Sequence, residues 1–121
     1  MLFTSGKSSN SHLTQKVFEF FTSTYDIVSD VEVFHTDLSD DNAFGFTEVN
    51  GEEQFIQIHN KLSEKDYVIT LLHELVHVVQ NEVGVTDDEE RENQAYELEK
   101  VLYNQFANLD WIKIANFEIV P

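Results

Sequence analysis

His73-Glu74-Leu75-Val76-His77 places two imidazoles four residues apart, with a carboxylate directly after the first. On a helix, residues four apart stand one above the other, so both rings can converge on one ion. Neutral imidazole suits zinc, and a catalytic zinc site keeps one position for water. Glu74 lies about 100° further round the helix than His73. That sets its carboxylate beside the ligands, where a general base for such a water belongs. The spacing is that of the H-E-x-x-H metal motif.

The surrounding residues must supply the helix. Ser63 with Asp66 reads as an N-cap and its partner three positions on, and Gly84 stands where a left-handed cap stops a helix. The predicted helix is therefore 64–83. Asp66, Thr70, His77, Gln80 and Gly84 share the sector of His73, with Glu74 and Asn81 at its edge, while aliphatic residues fill more than half of the remaining circumference. A polar stripe on a mostly buried helix must face solvent, a cleft or a ligand, because unpaired buried polar groups are expensive.

Two histidines need a third ligand, and the chain has no cysteine, so that ligand is a carboxylate or another imidazole. A second helix is predicted from Thr86 or Asp87 to about Asn108, with acidic residues in its first turn, where the helix dipole favours them. Its apolar stripe is Ala95, Leu98, Leu102, Phe106 and Leu109, flanked by Glu92, Tyr96, Glu99 and Tyr103. Glu92 is the first candidate for the metal. Glu99 is the alternative, as ligand or as acceptor for a histidine N–H.

Upstream, residues 1–11 read as a flexible Ser/Asn-rich arm and residues 12–121 as one domain, a size that buries a single core. Helical spacing predicts a first helix from His12 to about Tyr25. Val31–His35, Ala43–Val49 and Phe55–His59 read as strands, with Phe44, Phe46 and Glu48 on one face and Asn50-Gly51 as a type I′ hairpin turn. The expected fold is α+β: an N-terminal helix, a small, mostly antiparallel sheet, the histidine helix and the glutamate helix. Trp111 through Val120 could be a strand or a packed extended segment. If Phe55–His59 lies at the sheet edge, it could pair with an extended peptide.

The formal charge is −16 and the sequence pI about 4.3. This argues against nucleic-acid phosphates as partners. No Lys or Arg lies between Lys65 and Arg91, a distribution that leans towards a cation or a basic substrate. No apolar run is long enough for a membrane span or a signal peptide, so cytoplasmic residence is expected, in a cell or, for a virus-encoded chain, in the host cytoplasm.

The combination of His73-Glu74-Leu75-Val76-His77 with Glu92-Asn93-Gln94-Ala95, an E-x-x-A pattern, resembles the gluzincin metallopeptidases over roughly residues 12–108. The resemblance implies a compact zincin-like fold, Zn²⁺ held by His73, His77 and Glu92, and hydrolysis of a peptide or protein substrate with Glu74 as general base. Tyr96, which follows Ala95 where that family often carries a smaller polar residue, is the first candidate donor to the developing oxyanion, and His59 the second. His12 and His35 have no context that marks them as functional. Metzincins are excluded, because Gln80 and Val83 stand where those enzymes carry Gly and a third His. Two rivals remain: a non-catalytic zinc-binding interaction module on the same scaffold, and a domain that binds no metal.

Overall fold

The computed structural model describes the backbone of residues 1–119 and the side chains of residues 1–109. The chain runs β1 (Leu2–Gly6), a single 3-10 turn, α1 (Thr14–Thr22), β2 (Asp30–Thr36), a second 3-10 turn, β3 (Gly45–Asn50), β4 (Glu53–His59), α2 (Glu64–Val83) and α3 (Asp88–Ile119). The strands form one sheet in the order β1-β2-β4-β3. Helices cover one face of it, so the fold is α+β in two layers, as expected.

The sheet departs from the expected antiparallel arrangement. β1 pairs parallel with β2, β2 parallel with β4, and only β3 with β4 is antiparallel. Alternation of apolar residues fixes which side chains face the core, but not which strands are neighbours or which way they run. The hairpin turn also shifts by one residue. Asn50 still pairs with Glu53, so the two loop residues are Gly51 and Glu52, and Gly51 has φ +64°. Positive φ at the first loop residue alone is the type II′ pattern, which demands glycine there.

Three further expectations change. The N-terminal arm is not free: Leu2–Gly6 is an edge strand, and Ser5 O accepts a hydrogen bond from His35 Nδ1 at 2.9 Å. The first helix is shorter than His12–Tyr25. The last helix does not end near Asn108 but continues through Ile119, so the tail expected as strand or extended segment is helical up to that residue. Val120 lies outside the described residues.

α2 behaves as its pattern requires. Ser63 accepts from Asp66 N at its start and Gly84 takes the left-handed conformation at its end. Leu71, Leu72, Leu75 and Val78 are fully buried against Val17 and Phe21 of α1, Val33, Ile56 and Ile58 of the sheet, and Ala95 and Leu102 of α3. Each fully buried aliphatic side chain contributes roughly 1.5–3 kcal/mol, so these four anchor the helix that bears both histidines. Glu82, near its end, accepts from Val28 N, Ser29 N and Ser29 Oγ, tying α2 to the entry of β2. Among the described residues no helix is long and apolar enough to cross a membrane.

Candidate metal centre

Helix α2 presents its polar stripe to a cleft of about 730 Å³, bounded by β3 on one side and the start of α3 on the other. His73, Glu74 and His77 come from α2, Gly45, Phe46 and Thr47 from β3, and Glu92, Tyr96 and Glu99 from α3. The helical period thus does what the spacing predicts: His73 Nε2 and His77 Nε2 stand 3.1 Å apart. Glu92 Oε1 is 2.8 Å from His77 Nε2, and Glu92 Oε2 is 3.5 Å from His73 Nε2. One donor atom from each of His73, His77 and Glu92 lies within 4.8 Å of the others.

The orientation of the His77 ring is set by its neighbours. Gln80 Nε2 donates to the Arg91 carbonyl and to Gln94 Oε1, both at 3.0 Å. The other amide atom, Oε1, therefore faces His77 Nδ1 at 2.8 Å and can only accept. His77 Nδ1 therefore donates to Gln80, and Nε2 faces His73 Nε2 at 3.1 Å and Glu92 Oε1 at 2.8 Å. Three groups able to ligate a metal thus converge on one point. Two imidazole nitrogens and one carboxylate oxygen are a donor set suited to zinc, with room for a further ligand. The residues fit the ion.

Burial pushes the His73 imidazole below its ordinary pKa, helped by the neighbouring His77 and opposed by Glu92, the direction that favours the neutral ring a metal needs. Glu99, almost wholly buried, sets Oε2 3.6 Å from His73 Nδ1. Glu99 thus stands behind His73 and outside the group of three, whereas Glu92 completes the set that could hold a metal. Burial pushes the Glu99 carboxyl up, with Lys100 opposing.

Glu74 is buried at the cleft floor and does not belong to the triad. Thr47 Oγ1 donates to its Oε1 at 2.7 Å. Burial pushes the Glu74 carboxyl up, while the Thr47 hydrogen bond and His77 pull it down. Gly45 permits this contact between β3 and α2: a Cβ there would stand 3.0 Å from Thr70 Cγ2 and 3.3 Å from Glu74 Cγ.

Of the remaining candidates, Tyr96 reaches the cleft, its ring 4.9 Å from that of His73 and half exposed. His59 does not: it lies outside the cleft lining and its Nδ1 accepts from Leu38 N. His12 bonds Ser9 O at the surface, and His35 is buried against Tyr67. Phe55–His59 is not an edge either, because β4 is paired on both sides and has no ladder groups to spare. The edge beside the cleft is β3. Thr47 and Gly45 carried no signal in the sequence, and Gln80 carried only one: a polar residue three positions after a ligand on an otherwise apolar helix.

Residues 28–109 match the family model of the IrrE N-terminal-like domain. The chain belongs to that family. The match spans β2 through most of α3 and includes the triad, Glu74 and Glu99, whereas β1 and α1 of this IrrE N-terminal-like domain precede it. The family is zincin-like and related to metallopeptidases. No curated protein and no solved structure matches the chain.

Proposed function

We propose that this IrrE N-terminal-like domain is a zinc-dependent endopeptidase of the gluzincin type. The observation that carries the reading is the convergence of His73, His77 and Glu92 beside a buried carboxylate that is not one of them. Zinc at that point would polarise the substrate carbonyl and lower the pKa of water near neutrality.

The chain's own groups divide the remaining work. Thr47 holds Glu74 Oε1, which leaves Oε2 to take a proton during attack and return it to the leaving amine. Burial raises that carboxyl above its ordinary value, the direction that suits returning a proton as well as taking it. Tyr96, its ring against His73, offers the hydroxyl donor for the developing oxyanion. The substrate is a peptide segment lying along the β3 edge, in the mode of strand addition, and the working compartment is the cytosol.

Two measurements on wild type and Glu74→Gln test this: metal content of untagged protein, and cleavage of a denatured protein mixture read by mass spectrometry. Both proteins should hold one zinc, and only wild type should cleave, with the variant at least about a hundredfold slower. One zinc with no cleavage by wild type favours the interaction module. No zinc in either protein ends the metal reading.

A further inference from the structure

The helices all lie on one side of the sheet, and the other side carries an unusual set of residues. Register places them in rows across the strands. Phe3 stands opposite Glu32, Glu32 opposite Phe55, and Phe55 opposite Glu48. In the next row Ser5 faces Phe34, Phe34 faces Gln57, and Gln57 faces Phe46. Four phenylalanines thus alternate with polar side chains in a chequerboard. Phe3 is 49% exposed, and Phe34 and Phe46 are each 40% exposed.

β-propensity explains why aromatic residues stand on strands, but threonine or a half-charged face would serve a solvated surface as well. Half-exposed aromatic rings gathered on one face mark a contact surface. The side-chain charge on this face is one-sided, although the N-terminal ammonium pairs with Asp30 Oδ1 at 3.3 Å. Asp30, Glu32, Glu48 and Glu53 share it, and no Lys or Arg stands on any of the four strands. Between Phe3 and Phe55 lies a hollow of about 200 Å³, ringed by Asp30, Glu32 and Glu53. Rings flanked by carboxylates suit a guanidinium or ammonium group, held by ring face and charge together.

We propose that the open face of the sheet docks a protein partner through a basic amphipathic segment, apolar residues on the phenylalanines and Arg or Lys among the carboxylates. Charge decides the occupant. A second copy would bring a chain of charge −16 and the same four carboxylates against themselves. Nucleic acid and anionic lipid meet the same repulsion. The surface lies on the far side of the sheet from the metal centre, meets the cleft lining at Phe46 of the edge strand β3, and does not depend on catalysis.

The probe is a labelled sixteen-residue peptide with Leu at helical spacing and Arg on its flanks, compared with its Glu-for-Arg analogue. Binding is followed by fluorescence anisotropy and mapped by amide shifts of the ¹⁵N-labelled protein. The Arg peptide should bind, more weakly as salt rises, with shifts centred on Phe3, Glu32, Phe34 and Phe55. Phe34→Ser and the pair Glu32→Lys/Glu53→Lys should each weaken it at least tenfold. The off-face pair Asp26→Lys/Glu97→Lys, with the same charge change, and Glu74→Gln should bind as wild type does. Shifts centred on the cleft, or an equal loss in the off-face pair, overturn the proposal. So does a wild-type dimer in sedimentation that Phe34→Ser disperses, since the occupant is then a second copy.

Discussion

Gln80 Oε1 accepts a hydrogen bond from His77 Nδ1 at 2.8 Å, three residues along the same helix. Because the Gln80 amide is itself anchored by Arg91 and Gln94 of α3, one side chain fixes a ligand's tautomer and ties the two ligand-bearing helices together. Outer partners of this kind raise ligand basicity and hold ring orientation. Gln80→Leu should lower zinc affinity about 10–100-fold, measured by competition with a chromophoric chelator. Unchanged affinity would show that His77 needs no orienting partner.

Thr47 stabilises the charged form of Glu74 by donating to it. Removing the donor leaves burial unopposed from that side, so the carboxyl rises further. Thr47→Val should move the acidic limb of the kcat/KM profile to higher pH while zinc content stays constant. A limb that stays in place detaches that titration from Glu74.

Metal should also stabilise the fold. An ion that binds only the native state adds about 2.7 kcal/mol at a hundredfold excess over its Kd. Thermal unfolding with zinc and with a chelator should differ for wild type and coincide for His77→Ala. A shift of equal size in that variant would place the ion elsewhere.

How much of this was legible in the sequence follows from what each pattern encodes. The two histidines and Glu74 sit on one helix, so spacing alone fixes their relation, and the caps at Ser63 and Gly84 bound that helix. Glu92 is one of several carboxylates near the start of α3. Helical phase narrowed the choice to Glu92 and Glu99, and only the docking of α3 on α2 separates the ligand position from the outer one. Thr47 and Gly45 reach the site through sheet order, which alternation does not carry. β1 was missed because Leu2 and Phe3 are too few apolar residues to register as a strand; its partner β2 supplies the hydrogen bonds.

Tyr67 hydroxyl lies buried between His35 Nε2, at 2.7 Å, and Thr14 Oγ1. Burial pushes its pKa up to about 12, with Thr14 opposing. A folded-state pKa above the ordinary value of 10.0 means that the folded chain holds this proton more tightly. The associated stability is intact below pH 10 and is lost as pH rises towards 12, about 2–3 kcal/mol in all. Urea unfolding in that window should steepen in pH dependence for wild type and flatten for Tyr67→Phe. Equal slopes would remove Tyr67 as the cause.

Gly45 lets β3 lie against α2 with no side chain between them. Gly45→Val should force Thr70 and Glu74 aside, costing about 1–3 kcal/mol of stability and lowering turnover more than zinc affinity. Stability and turnover equal to wild type would show that the strand has slack.

Two of the three prospective ligands ride on α2 and the third on α3, with four residues, 84–87, between the helices. Coordination is therefore a gauge of how those two rods are clamped. A cobalt-loaded sample would carry that gauge in its visible spectrum, and a substitution at Ala95, fully buried in the seam and outside the coordination sphere, would move the bands before it unfolded the chain.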